Sequence, residues 1–353
     1  MSETLAVKYR PKTFDEVVEQ DAVKAILTNQ LNAKATKNAY LFEGPAGCGK
    51  TTSARLFAKA INGGGESSIV EIDAASNNSV DDVRRIREDA KYASLSSDYK
   101  VYILDECHLL SASAWGALLK LLEEPPERTV FILCTTDAQK IPQTIISRVQ
   151  TFRFTKISLI GIEERLDEIC DLEYGCYPLQ KGAVEYLAKQ AQGGMREAIS
   201  IMGKVLDCYD KSKLADDSVS VADVVRLLGT VDYDTMHGLA ASVLLNQGER
   251  PTAHIQRVYD AGKDLKLFLR GFLEYAMDIA IFMDTEDISS TGLPPTEEWA
   301  SRIGALCRSV GDKVKVLDLM DTVLRVSNDV KWDPQPKTVI CAEFELLREE
   351  LAR

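Results

Sequence analysis

Gly44-Pro45-Ala46-Gly47-Cys48-Gly49-Lys50-Thr51 follows the pattern Gly-x-x-x-x-Gly-Lys-Thr, and the fold can be read outward from it. Its glycines let the backbone turn so that successive N–H groups point inward at an anion. Lys50 is placed to neutralise the outer phosphates of a nucleotide, and the Thr51 hydroxyl to ligate Mg²⁺. Gly44, Pro45, Ala46, Gly47, Cys48, Gly49, Lys50, Thr51 and Thr52 are therefore the candidate nucleotide-binding loop. Upstream, Ala39-Tyr40-Leu41-Phe42-Glu43 reads as a buried strand. Downstream, Ala54, Phe57, Ala58 and Ile61 recur at helical spacing, which predicts a helix from Thr51 to Ile61. The phosphates would then sit at a helix N-terminus, where the dipole favours negative charge.

The 353 residues allow two or three domains, and 45% hydrophobic content is enough for real cores. A net charge of −12 argues against coating nucleic acid by bulk attraction, but leaves room for a local basic surface. Eight cysteines are scattered singly with no Cys-x-x-Cys pair, which speaks against a zinc ribbon or a disulfide framework and for thiols in a reducing compartment. Met1-Ser2-Glu3-Thr4-Leu5 lacks the basic and apolar regions of a signal peptide. The most apolar later stretch, Tyr275 to Met283, is too short to span a bilayer and contains Asp278. No membrane partner and a cytoplasmic location are expected.

Further apolar runs at Ile69–Asp73, Lys100–Asp105, Thr129–Thr135 and Thr151–Phe154 read as strands, with helical patterns between them. That alternation predicts an α/β domain with a mostly parallel sheet and flanking helices. After about Thr155 the strand signals stop. Helices are expected over Gly161–Leu172, Gln180–Gln192, Gly194–Cys208 and Ser218–Leu228, with a polar break at Asp210–Asp217. Some six more helices follow from Gly229, including Thr235–Asn246, Asp264–Met283 and Lys313–Val330, interrupted by a loop at Ser289–Pro295. The predicted order is one α/β domain (1–156), a small helical domain (157–228) and a larger all-helical domain (229–353), which the family resemblance given below would make an ATPase domain, a lid and a collar.

Val101-Tyr102-Ile103-Leu104-Asp105-Glu106 is an apolar strand ending in two carboxylates. A buried strand would deliver Asp105 to the sheet's C-terminal edge beside the phosphate loop. Asp105 could hold Mg²⁺ through water, and Glu106 could polarise a water for attack on the γ-phosphate. At the end of the next strand Thr136 could hydrogen-bond the γ-phosphate or the water, or could simply cap a turn. Arg148 could remain on the surface or reach a nucleotide held by a neighbouring subunit. Arg196 sits in the first turn of a helix, against the helix dipole; a binding task or a salt bridge to Glu197 or Glu163 would each explain it. Asn77 to Ala93 reads as an amphipathic helix with Val80, Val83, Ile86 and Ala90 inward and a basic stripe of Arg84, Arg87 and Lys91. Ser76, Asn77, Asn78 and Ser79 at its start suit a DNA backbone phosphate, and equally suit N-caps.

Together these residues resemble the AAA+ ATPases, and more closely the gamma/tau (DnaX) family, the ATPase subunit of the bacterial DNA polymerase III clamp loader. Lys8-Tyr9-Arg10-Pro11 through Val17-Val18-Glu19-Gln20 looks like that family's opening segment, which implies adenine contacts from Tyr9, Arg10, Pro11, Val17 and Val18. Glu71-Ile72-Asp73-Ala74-Ala75-Ser76 matches its second strand, Leu104 to Ser111 its Asp-Glu motif, and Ala117 to Pro126 a distinctive helix ending. Thr136 falls at sensor 1, Ser147-Arg148 at the arginine finger acting in trans, and Gly194-Met195-Arg196 at sensor 2. Lys331-Trp332-Asp333-Pro334 and Glu345-Leu346-Leu347-Arg348 are similar to the end of the collar.

The resemblance implies a mechanism. ATP, with Mg²⁺, binds between subunits of a pentamer built from copies of the chain and delta-like and delta-prime-like partners. The assembly opens a sliding clamp and loads it on primer–template DNA. Ser76, Asn77, Asn78, Ser79 and Arg84 would touch DNA, and the clamp would be met near Tyr92 and Leu95. Two departures matter. Asn62-Gly63-Gly64-Gly65-Glu66-Ser67-Ser68 stands where family members usually carry a four-cysteine zinc module, so no zinc is expected. The chain stops with the collar, so a tau-like tail is expected to be absent. A compact, zinc-free form suggests a virus-encoded or divergent member acting in a bacterial cytoplasm. Two alternatives stay open: a non-hydrolysing structural subunit, and another AAA+ DNA machine such as a helicase loader or branch-migration motor.

Overall fold

A computed structural model describes residues 3–90, 99–209, 218–228, 233–331, 333 and 335–352. Helices α1 (Leu5–Lys8) and α2 (Asp21–Asn32) open the chain. Strand and helix then alternate: β1 (Ala39–Glu43), α3 (Lys50–Ile61), β2 (Ile69–Asp73), α4 (Val80–Ala90), β3 (Lys100–Asp105), α5 (Ala112–Glu123), β4 (Thr129–Thr135), α6 (Gln143–Ile146) and β5 (Gln150–Arg153). Helices follow: α7 (Leu159–Tyr174), α8 (Lys181–Gln190), α9 (Met195–Leu206), α10 (Val221–Leu228), α11 (Tyr233–Leu245), α12 (Pro251–Asp260), α13 (Leu265–Thr285), α14 (Glu297–Val310), α15 (Lys313–Asp329) and α16 (Pro336–Leu351). The chain divides into two compact units. One holds Met1–Ile169 with Ala191–Lys204, the other Cys170–Gln190 with Val205–Arg353.

In the first unit the five strands lie in the order β2-β3-β4-β1-β5, and every pairing is parallel. A parallel sheet covered on both faces needs apolar central strands, which is why β1, β3 and β4 read as hydrophobic runs while the edge strands β2 and β5 carry Glu71, Gln150 and Arg153. Alternate residues serve the two faces. Tyr40, Phe42, Ile103 and Ile132 pack with Ala54, Phe57 and Ala58 of α3 and with Val23 and Leu27 of α2. Leu41, Tyr102, Leu104, Phe131 and Leu133 pack with Val83 and Ile86 of α4 and with Trp115, Leu118 and Leu121 of α5. Tyr40 meets Phe57 edge-on at 5.0 Å, and Tyr102 stacks on Phe131 at 5.4 Å. Truncating a ring such as Phe57 to alanine would cost about 3–5 kcal/mol.

Parallel register brings the strand ends to one edge. Glu43 is level with Thr135, and Asp73 with Asp105. The loops after β1, β3 and β4 therefore leave from the same side, where ligands of such sheets sit.

Two helices begin later than the sequence pattern suggests, for one reason. Ser79 N–H donates to Asp82 (3.1 Å) and Asp82 N–H to the Ser79 hydroxyl (3.3 Å), a reciprocal cap that starts α4 at Val80 rather than Asn77. Ser220 and Asp223 repeat the device and start α10 at Val221 rather than Ser218. The fifth strand runs Gln150–Arg153, one residue earlier than expected. Lys91 of the basic stripe, Tyr92, Leu95, the polar break at 210–217, Gly229, Trp332 and Pro334 lie outside the described residues.

In the second unit α13 packs against α15, and α16 against α12 and α15. Phe268, Phe272, Tyr275 and Ile279 form the buried stripe of α13, with Phe272 edge-on to Phe344 of α16 at 5.6 Å. Asp264 caps α13 by accepting from Lys266 N–H (2.7 Å) and Leu267 N–H (3.3 Å). Among the described residues no helix is long and apolar enough to cross a membrane.

Candidate functional site

The phosphate loop joins β1 to α3 in a conformation that only glycine meets at its tightest point. Gly44 has φ +150°, and a Cβ there would lie 2.3 Å from the Phe154 carbonyl oxygen. Gly47 (φ +73°) and Gly49 (φ +100°) supply the other left-handed turns. Lys50, the first residue of α3, is buried, and its ammonium donates to the carbonyls of Gly44 (2.8 Å) and Pro45 (2.6 Å). Burial has pushed the Cys48 thiol up, and it donates to the Pro45 carbonyl at 2.9 Å. The loop opens on a cleft of about 540 Å³.

Across the cleft floor the Thr51 hydroxyl lies 3.1 and 3.0 Å from the two Asp105 oxygens. Burial raises the Asp105 pKa above the ordinary carboxylate value, against the lowering effect of the Thr51 hydrogen bond. Hydroxyl and carboxylate oxygens are the hard donors Mg²⁺ prefers, so Thr51 and Asp105 are the residues that would hold it, in a cleft that Lys50 also lines. The residues present fit both nucleotide and metal.

Glu106 follows Asp105 in the left-handed region (φ 46°, ψ 42°) and also lines the cleft. Its Oε2 accepts from the Thr136 hydroxyl (2.8 Å) and the Thr136 N–H (3.3 Å). Thr136 thus contacts Glu106 rather than lining the cleft itself. Arg148 is also absent from the cleft lining. Its guanidinium pairs with Glu123 (2.8 Å) and donates to the Thr144 carbonyl (2.7 Å).

Every other predicted nucleotide residue except Gly44 lines the cleft: Tyr9, Arg10, Pro11, Val17, Val18, Pro45, Ala46, Gly47, Cys48, Gly49, Thr52 and Arg196. The opening segment is held against the strand-exit region by a two-way amide clamp. Gln20 donates to the Thr155 carbonyl (2.8 Å) and accepts from its N–H (3.1 Å). Arg196 arrives on α9, whose first N–H, from Met195, donates to the Gly47 carbonyl at 3.1 Å. The Arg10 pKa is lowered by burial first, then by repulsion from Arg55, with Arg196 contributing further.

The sequence reading missed Arg165 and Lys156, both in the cleft lining. Arg165 is buried, pairs with Glu168 (2.6 Å) and donates to the Tyr9 carbonyl (3.3 Å). A signal existed: Arg165 interrupts the buried stripe of Ile162, Leu166 and Ile169.

The predicted DNA residues lie before and on α4, outside the cleft lining. Ser76 donates to Asp73 (3.0 Å), Asn77 to the Asp73 carbonyl (3.0 Å), and Ser79 to Asp82 (2.6 Å). The Asn78 carbonyl accepts from Ser111 N–H at 3.1 Å. Arg84 pairs with Asp81 (2.8 Å) and Arg87 with Glu88 (3.6 Å). Ser79 thus caps α4, and Arg84 and Arg87 pair with acidic residues of their own helix.

Residues 66–158 match the family model of the DNA polymerase III delta subunit, and residues 219–348 that of DNA polymerase III subunits gamma and tau domain III. DNA polymerase III subunit tau of Bacillus subtilis is 33% identical over 352 residues, spanning 93% of this chain and 60% of that protein. The chain belongs to the DNA polymerase III gamma/tau family. The tau subunit of Escherichia coli is 35% identical over 287 residues, covering 76% of this chain and 43% of that one. The chain therefore spans about half the length of these relatives (60% and 43%). Among solved structures, the RuvB Holliday junction branch migration motor of Thermotoga maritima aligns with a TM-score of 0.52 at 20% identity, over 72% of this chain and 86% of that one. That likeness identifies the fold as AAA+.

Proposed function

We propose that the chain is an ATP-driven clamp-loader motor subunit, opening a sliding clamp and loading it on primer–template DNA during replication. The observation that carries this reading is one cleft in a gamma/tau family chain that collects a phosphate loop, Asp105, Glu106 and Arg196. On this reading residues 1–156 are the ATPase domain, 157–228 the lid and 229–353 the collar through which copies and delta-like and delta-prime-like partners assemble.

Each residue then has a task. Lys50 exchanges the loop carbonyls it now contacts for phosphate oxygens, with the N–H groups of the loop around it. Thr51 and Asp105 hold Mg²⁺, which when bound offsets charge on the phosphate oxygens. Glu106, anchored by Thr136, orients and polarises the attacking water. Arg196 adds positive charge from the lid side. Tyr9, Arg10, Pro11, Val17 and Val18 enclose the base. Arg148, outside its own chain's cleft, serves a neighbouring subunit's site once released from Glu123. Ser76, Asn77, Asn78, Ser79 and Arg84 meet the DNA backbone, which would require Arg84 to exchange Asp81 for phosphate. The setting is the bacterial cytoplasm.

The test is steady-state ATP hydrolysis with partner subunits, with and without clamp and primed DNA. Strong stimulation only when both are present is the expected result. Indifference to both, or stimulation by DNA alone, would move the assignment to another AAA+ machine. Lys50→Ala should lose ATP binding. Glu106→Gln should bind ATP, fail to turn over and trap a clamp-bound complex.

A further inference from the structure

Glu106 is held in an uncommon place. A non-glycine residue in the left-handed region costs about 1–3 kcal/mol and persists only where its surroundings over-determine it. Two of its anchors come from Thr136. The third is His108, on the single helical turn Cys107–Leu109 that Glu106 introduces. His108 is largely buried. Its Nδ1 lies 3.3 Å from Glu106 Oε2 and 3.1 Å from the Thr135 hydroxyl oxygen. That hydroxyl oxygen already accepts from Asp137 N–H at 3.0 Å.

The 3.1 Å contact with the Thr135 hydroxyl is made in either ring tautomer, so it is the approach of Oε2 to 3.3 Å that favours a proton on Nδ1. A bare lone pair on Nδ1 would face a carboxylate oxygen at 3.3 Å. A proton on Nδ1 lies instead between two acceptors, Oε2 and the Thr135 oxygen. All three donors then converge on Oε2, and Oε1 is the oxygen left to address the cleft.

We propose that His108 is a positioning residue for hydrolysis: its Nδ1–H pins Oε2 of Glu106 so that Oε1 presents to the attacking water. This rests on the reading that Glu106 polarises that water. The motif's histidine, to which the sequence reading gave no task, thus shares with Thr136 the work of holding that one carboxylate oxygen.

The chain has three histidines, so ¹⁵N-histidine spectra of the nucleotide-free protein are tractable, with His108 assigned in the parent protein by correlating its ring with its own backbone amide. The expected pattern at pH 8 is a protonated Nδ1. A pyridine-type Nδ1 overturns the proposal, and the spectrum of the parent chain decides this even if a variant fails to fold. Single-turnover hydrolysis in the assembled complex gives the second readout. His108→Asn keeps a donor at the Nδ1 position, His108→Gln moves it to the Nε2 position, and His108→Ala removes it. Alanine and glutamine should slow hydrolysis about tenfold or more at unchanged ATP affinity, as expected for losing a hydrogen bond to a charged group, and asparagine should restore most of the rate. Equal rates for asparagine and alanine would overturn it. Glu106→Gln is the control. If that variant hydrolyses at the parent rate, the water-activation reading fails. If it is inactive while His108→Ala runs at the parent rate, only the role of His108 fails.

Discussion

Asp105 and Asp278 are both half-buried carboxylates with pKa values raised chiefly by desolvation, and they do opposite things. Asp105, in the first unit, ends a strand beside the Thr51 hydroxyl and lines a cleft that Lys50 also lines. Asp278, in the second unit, lies midway along α13 and accepts from Gly292 N–H at 2.8 Å, holding the loop before α14. Its neighbours are likewise tied down: Tyr275 shares a 2.7 Å hydrogen bond with His237, and Arg302 lies 4.3 Å over the Trp299 ring. A raised pKa alone therefore does not mark chemistry. Convergence on a cleft does.

The sharpest test of that difference lies on the rim. Arg148 is paired with Glu123 and lines no cleft of its own chain, so by the convergence criterion it looks structural. If it acts in trans, Arg148→Ala should leave the isolated chain's ATP affinity within about twofold and lower hydrolysis by the assembly by about a thousandfold or more. Parent-rate hydrolysis by the mutant assembly would remove Arg148 from the site.

Asp105→Asn should lower turnover by about a hundredfold or more, because the amide keeps the shape but loses the charge that would hold the metal ion. Mg²⁺ titration of turnover reads the loss directly. A variant that saturates with Mg²⁺ at the parent concentration and rate would leave Asp105 no different in kind from Asp278.

These contrasts also explain what could be read before the structure. β1, β3 and β4 were legible to the residue, because a parallel strand buried on both faces is an apolar run bounded by polar turns, and the edge strand β2 because Ile69, Val70 and Ile72 stand between a Gly/Ser-rich loop and a polar turn. The loop residues were legible because phosphate binding needs glycines and a lysine at fixed spacing. The contact between Thr136 and Glu106 was not, since it depends on the register that sets Leu104 level with Leu133. Arg165 and Lys156 reach the cleft from beyond the sheet, and only the charge set into the stripe of α7 hinted at the former. The start of α4 was misplaced because a serine cap and an amphipathic pattern overlap, and the cap, made by Ser79 and Asp82, wins.

The smallest expected effect belongs to Asp278. Its folded-state pKa of about 6 lies above the ordinary value near 4, so the folded protein holds a proton that the unfolded chain has released. Folding is then most favoured below pH ~4 as far as this group is concerned, and the contribution is lost as pH rises through about 6. The full swing is about 2 kcal/mol after discounting for partial solvent access. Asp278→Asn keeps an oxygen for Gly292 N–H and removes the ionisation. Denaturant unfolding followed by a probe of the helical unit should show the mutant gaining on the parent as pH rises from 4 to 7, with ATP turnover unchanged. A pH profile that runs parallel in both proteins would mean that Asp278 titrates as a solvent-facing carboxylate. The buried polar network of α13 would then lose the feature that sets it apart from the cleft.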